Sequence, residues 1–259
     1  MKIGYVQNSP EFGVKSQNFE QVRSLLKGVK SNLLVLPELF ATGYAFASKA
    51  EAKELAETGE QETADFLKEM SNKTGAIIVA GFIEKSGGKL YNSAMTVHAG
   101  KVVGTYRKIH LFNKEKLWFS PGDKPLPVYN ISGVNVGVMV CFDWMFPEVA
   151  RILALKGAQV IAHPSNLVMP YCQNAMITRC LENRVFAVTA NRVGSENRLD
   201  KFRFTGGSQI TSFDGSVLSS ASIDRTDVGI VQVDPNKADN KMINPYNDVL
   251  KDRRTGFYA

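Results

Sequence analysis

Gly133-Val134-Asn135-Val136-Gly137-Val138-Met139-Val140 reads as a buried strand, and it runs straight into Cys141-Phe142-Asp143-Trp144-Met145 and then Phe146-Pro147-Glu148. Pro147 suits the first turn of a helix, because it lacks only a backbone N–H that the helix does not need there and its φ is already helical. A buried strand followed by a helix is the repeating unit of an α/β protein, and the remainder of the chain keeps to it. Runs rich in valine and isoleucine predict further strands over 33–36, 76–82, 158–162 and 185–190, and Met1-Lys2-Ile3-Gly4-Tyr5-Val6 opens the chain as another. Segments of helical period predict helices over 17–30, 60–73, 146–156 and 172–182. Residues 90–97, Ala99-Gly100 and 101–106 read as a hairpin, as does the stretch around Asp214-Gly215, so parallel and antiparallel pairing are both expected. No repeat, low-complexity tract or linker interrupts the pattern, which predicts one domain over 1–259.

The chain has 259 residues, 44% of them hydrophobic, enough to build a packed core. No apolar run reaches the length of a membrane-spanning helix, and the N-terminus lacks the apolar stretch of a secretory signal, so a soluble, cytoplasmic protein is expected. Cys141, Cys172 and Cys180 are an odd number at spacings that suit neither a disulfide framework nor a metal knuckle; they read as free thiols. The net charge of +6 is spread among 25 acidic residues, with Lys251-Asp252-Arg253-Arg254 as the one dense cluster, which argues for a solvated surface and against nucleic acid. His98, His110 and His163 have no metal-ligand spacing, and Gly87-Gly88 and Gly206-Gly207 form no phosphate-cradling loop; neither a metal nor a cofactor is expected.

Ligands of open α/β folds gather outside the carboxyl ends of strands, so polar residues just after buried strands are the candidates for chemistry. Leu36-Pro37-Glu38 ends one strand in a carboxylate, which reads either as a solvated loop residue or as a base. Tyr106-Arg107-Lys108-Ile109-His110-Leu111 sets a lysine among apolar neighbours, where it either extends its ammonium to water or presents it to a site. Cys141 reads either as a small buried hydrophobe or as a thiol ahead of a helix N-terminus, whose dipole favours the nucleophilic thiolate. Together the three supply a base, a cation and a thiol, which suffice for acyl transfer without a metal.

In type, order and separation, Leu36-Pro37-Glu38-Leu39-Phe40 with Thr42-Gly43-Tyr44, the lysine segment, and Cys141-Phe142-Asp143-Trp144-Met145-Phe146-Pro147-Glu148 resemble the motifs of the nitrilase superfamily of carbon–nitrogen hydrolases. Tyr91-Asn92-Ser93, Ser120-Pro121-Gly122-Asp123 and Ala190-Asn191-Arg192-Val193-Gly194 support the resemblance. The run from Cys141 through His163-Pro164-Ser165-Asn166-Leu167-Val168-Met169-Pro170-Tyr171 is similar to small aliphatic nitrilases of thermophilic archaea. The resemblance implies a four-layer α-β-β-α sandwich with mixed sheets that forms a homodimer or higher homo-oligomer, its dimer helix falling on residues 174–184. It implies a Glu-Lys-Cys triad at Glu38, Lys108 and Cys141, with Glu115 as a second glutamate seven residues beyond the lysine. The implied reaction turns a small nitrile or amide into carboxylic acid and ammonia, and omega-amidases and N-carbamoyl amine hydrolases use the same triad. Expected substrate contacts are Tyr44, Trp144 and Tyr171 as aromatic walls, with Phe142 and Asn166.

Two other readings remain at the level of sequence. His163 follows a predicted strand and could face the same crevice, which would suit a papain-like Cys-His pair. The same fold could also serve as a scaffold with a retired site.

Overall fold

The structure, a computed structural model, describes residues 1–258. In chain order the strands are β1 (Lys2–Gln7), β2 (Leu33–Val35), β3 (Ile77–Ser86), β4 (Lys89–His98), β5 (Lys101–Arg107), β6 (Val128–Ile131), β7 (Val134–Val138), β8 (Val160–Pro164), β9 (Phe186–Ala190), β10 (Ser195–Asn197), β11 (Lys201–Arg203), β12 (Gln209–Thr211), β13 (Val217–Ser220), β14 (Asp227–Gln232), β15 (Met242–Asn244) and β16 (Asn247–Asp248). The helices are α1 (Lys15–Leu25), α2 (Lys49–Leu55), α3 (Glu62–Thr74), α4 (Glu115–Trp118), α5 (Pro147–Leu155) and α6 (Cys172–Asn183). Two six-stranded sheets dominate, ordered β14-β1-β2-β3-β4-β5 and β13-β12-β9-β8-β7-β6. Each has a parallel centre, β1-β2-β3 in one and β7-β8-β9 in the other, with antiparallel strands outside it.

The layering follows from side-chain alternation. On β2, Leu33 and Val35 point towards the second sheet and pack with Val136, Val138 and Val160, while Leu34 points the other way onto Phe19 and Val22 of α1 and Leu67 and Met70 of α3. A strand buried on both faces is apolar where its side chains meet only other apolar groups, which is why β2 and the Val160-Ile161-Ala162 part of β8 read as hydrophobic runs. α5 and α6 cover the outer face of the second sheet through Leu153, Ala154, Met176 and Cys180. The result is the four-layer α-β-β-α sandwich with mixed sheets. Each such buried leucine or valine contributes about 1.5–3 kcal/mol, so a one-residue slip of β2 is strongly disfavoured.

Every predicted strand and helix is present, with ends shifted by a few residues. The strand predicted over 134–140 stops at Val138, and the first helix stops at Leu25. The hairpin at Asp214-Gly215 joins β12 to β13. Among the described residues no helix is long and apolar enough to cross a membrane.

Candidate active site

The parallel strands of both sheets end at the same edge, and the candidate residues follow those ends. The Leu36 N–H still bonds to the Val79 carbonyl (2.9 Å), and the Gly81 N–H bonds to the Pro37 carbonyl (3.1 Å), so the turn carrying Glu38 is pressed flat on β3. Gly81 permits this approach: a Cβ there would lie 2.5 Å from Glu38 Cα and from the Leu39 nitrogen. Glu38 is fully buried, and its Oε1 accepts from Asn92 Nδ2 and from Lys108 Nζ, both at 2.7 Å. Glu38 Oε2 has no partner among the described residues.

Lys108 directly follows β5, and its own N–H bonds to the Asn92 carbonyl at 2.8 Å. Its ammonium is fully buried and also reaches Glu115 Oε1 at 2.9 Å. Glu115 opens α4. Its Oε1 accepts from the Tyr44 hydroxyl at 2.7 Å and its Oε2 from the Phe112 N–H at 3.2 Å. The structure thus brings Glu38, Lys108, Glu115 and Tyr44 into one buried network. Burial raises the Glu38 carboxyl to about 7, with Lys108 opposing the rise and Glu115 adding to it. Burial works against the Lys108 ammonium, but Glu115, Glu38 and Cys141 together outweigh it and keep the group protonated.

Cys141 lies at a tight elbow between β7 and α5. Its φ is +42°, an uncommon conformation for a residue with a side chain, and it begins a 3-10 turn over Cys141–Met145. Fully buried Asp143 holds the elbow by accepting from the Val140 N–H and the Tyr106 hydroxyl, both at 2.8 Å, with His110 Nδ1 also at 2.8 Å. Cys141 Sγ sits 3.7 Å from the Asn166 carbonyl oxygen.

The expectation of a dipole-stabilised thiolate is corrected here. Burial, reinforced by Glu38, pushes the Cys141 thiol well above its ordinary pKa, and Lys108 only partly offsets the rise. The dipole acts within about one turn, whereas α5 begins at Pro147, with the 3-10 turn in between. Burial therefore favours the neutral thiol form of Cys141.

His163 is not placed to deprotonate that thiol. Its Nε2 donates to the Cys141 carbonyl oxygen at 2.9 Å and its Nδ1 faces Thr189 Oγ1 at 3.1 Å, so both ring nitrogens are engaged away from the sulfur. Burial lowers it to about 4, leaving the imidazole neutral.

A narrow cavity opens beside Cys141. Phe112, Phe142 and Trp144 line it together with Asn166 and residues 167–169. Tyr171 does not line it; the residue stands 61% exposed just before α6. Sequence reasoning gave no role to Asn92, Asp143 or Glu196. Glu196 accepts from the N–H groups of Tyr44 (3.0 Å) and Ala45 (2.6 Å) and pairs with buried Arg192, which fixes the loop that aims Tyr44 at Glu115. The signal was the charged pair Arg192 and Glu196, four residues apart just beyond the apolar strand β9. Among the described residues no group of three or more His, Cys, Asp or Glu side chains is arranged to hold a metal ion.

Residues 2–240 match the family model of the carbon–nitrogen hydrolases. The chain belongs to that family, the nitrilase superfamily. This carbon–nitrogen hydrolase is 48% identical over 262 residues to a nitrilase of Pyrococcus abyssi, a match covering 100% of the chain and 99% of the relative. It is 33% identical to an (R)-stereoselective amidase of a Pseudomonas species, covering 98% and 92%. The crystal structure of a carbon–nitrogen hydrolase from Helicobacter pylori G27 superposes with a TM-score of 0.89 at 27% identity, covering 100% of this chain and 97% of that one.

Proposed function

We propose that this carbon–nitrogen hydrolase converts a small aliphatic nitrile or amide to a carboxylic acid and ammonia through a thioester on Cys141. The observation that carries the reading is the state of Glu38. One of its oxygens is held by Lys108 and Asn92, the other is unpartnered, and the carboxyl is poised near neutral pH beside a thiol that requires a base.

In this reading Glu38 takes the Cys141 proton as the sulfur attacks the electrophilic carbon. An amide gives a tetrahedral oxyanion and a nitrile a thioimidate, each stabilised by the Lys108 ammonium, with the Phe142 N–H as second donor. Glu38 returns its proton to nitrogen. The amide adduct then loses ammonia directly, whereas the thioimidate first adds a water. A final water, deprotonated by Glu38, hydrolyses the thioester and frees the acid and the thiol. Glu115 holds Lys108 in place and keeps it charged.

The 48% identical relative named a nitrilase favours nitriles, and the small cavity favours few carbons. Ammonia release from matched short nitriles and amides tests this: turnover of amides alone overturns the nitrile preference, and full activity in folded Cys141→Ala overturns the mechanism. The same reading extends to assembly. Ile152 and Leu155 of α5 and Leu181 of α6 present apolar side chains to solvent, a face that a second copy would cover. A monomeric mass by light scattering would refute that extension.

A further inference from the structure

We infer that Asn166 reads the far end of the substrate, and that the preferred substrate carries there a second, neutral group that both donates and accepts hydrogen bonds: a primary carboxamide. The inference rests on the proposed reaction at Cys141 and adds to it the identity of the part that does not react.

Asn166 is 3% exposed, and neither its Nδ2 nor its Oδ1 has a partner among the described residues. A buried amide with both functions unmet is disfavoured unless something else meets them. It lines the cavity beside Cys141, and its own carbonyl oxygen is the atom 3.7 Å from the sulfur, so the side chain lies within one or two carbons' reach of the carbon under attack. The other side chains lining that cavity, Cys141 apart, are aliphatic, thioether or aromatic, among them Phe112, Phe142, Trp144 and Met169, and of these the Trp144 indole offers a donor but no acceptor. Among the residues lining the cavity, Asn166 is thus the side chain that presents both a donor and an acceptor to the non-reacting end.

The chemistry of the amide narrows what it pairs with. A carboxylate or a nitrile accepts from Nδ2 but leaves Oδ1 unmet; an ammonium does the reverse. A carboxylate would further require a cation, and the Lys108 ammonium is already engaged by Glu38 and Glu115. A carboxamide satisfies both atoms in one planar pair.

The test compares, at one- and two-carbon spacers, the diamide (malonamide, succinamide), its isopropyl isostere (3-methylbutanamide, 4-methylpentanamide) and its half-acid (malonamate, succinamate), each also as the corresponding nitrile. The enzyme is expected to favour the carboxamide-bearing member over both others by about tenfold or more in kcat/KM at one spacer length. Hydrolysis of that diamide should stop after one equivalent of ammonia, since the half-acid product is a poor substrate. In Asn166→Leu the ratio of diamide to isostere should fall below about threefold. Preference for the isostere or the half-acid, no preference, or a ratio retained in Asn166→Leu overturns the inference while leaving the proposed function standing. Absence of ammonia from every compound overturns both.

Discussion

The Lys108 ammonium lies 2.7 Å from Glu38 Oε1 with both side chains fully buried, and Glu115 Oε1 is 2.9 Å from the same nitrogen. One cation shared by two carboxylates leaves Glu38 under-compensated, so burial holds its carboxyl at about 7. On the proposed mechanism the working form is the ionised one, which gains population as pH rises. The expected profile of kcat/KM therefore climbs through an apparent pKa of about 7. Lys108, held above its ordinary value, adds no descending limb below that value. A rise centred near the ordinary carboxylate range would show that the ionisation governing catalysis is not this one.

Replacing Lys108 with methionine leaves the buried Glu38 and Glu115 without the cation they share. Breaking a buried ion pair costs about 3–5 kcal/mol, and Lys108→Met should lose stability on that scale in urea unfolding. Adding Glu115→Gln removes one of the two charges and should recover much of the loss. Neither form should turn over substrate. A double variant that regained both stability and activity would reduce Lys108 to a structural role.

The sequence carried those parts of the site that follow directly from buried strands. Glu38 and Cys141 stand where apolar runs stop, and a run buried on both faces is visible without any partner. What was not legible depends on register between distant segments. Asn92 meets Glu38 because β4 pairs with β3 at Phe82↔Ser93 and Ile83↔Asn92, and nothing local to Tyr91-Asn92-Ser93 says so. Glu115 opens the short helix α4 with no local motif to mark it; the family resemblance alone pointed to it, and its hydrogen bonds to Tyr44, Lys108 and Phe112 depend on segments it does not adjoin in a recognisable pattern. Tyr171 was misjudged because an aromatic near a site looks the same in sequence whether it faces the cavity or solvent. The strands β13 and β14 gave little signal because their side chains are half-buried or exposed, which blurs the alternation. The thiolate expectation failed for a different reason: desolvation by residues distant in sequence outweighs a local dipole.

His163 ties the elbow backbone to β9 and is held near 4 against an ordinary value of 6.5. A lowered pKa means that the unfolded chain takes up a proton which the folded one refuses. Its contribution is full above pH 6.5 and is lost as pH falls through about 4. By pH 4.5 the loss should be roughly 2–3 kcal/mol. Urea unfolding of the enzyme and of His163→Gln at pH 7.5 and 4.5 measures it: the stability gap between them should shift by that amount in favour of the variant at low pH. An unchanged gap would mean that the imidazole is not buried as described. Turnover at pH 7.5 should suffer far less in His163→Gln than in Lys108→Met, the reverse of what a Cys-His pair requires.

Gly81 offers the sharpest separation of position from stability. An added Cβ would stand 2.5 Å from Glu38 Cα and from the Leu39 nitrogen, and these are backbone atoms that no rotamer change can clear. Gly81→Ala must therefore push the Glu38 turn off β3, lengthening the contact from Glu38 to Lys108 and displacing the carboxylate. Overpacking of this kind costs about 1–3 kcal/mol, which a folded domain tolerates. A displacement near 1 Å costs on the order of a hundredfold in rate when proton transfer depends on alignment. Gly59→Ala is the control, since a Cβ there meets nothing within 4 Å. The expectation is a folded Gly81→Ala enzyme with Tm lowered by several degrees and kcat reduced about a hundredfold, beside a Gly59→Ala enzyme altered in neither. Wild-type kcat in Gly81→Ala would show that the seat of Glu38 on β3 does not limit the reaction.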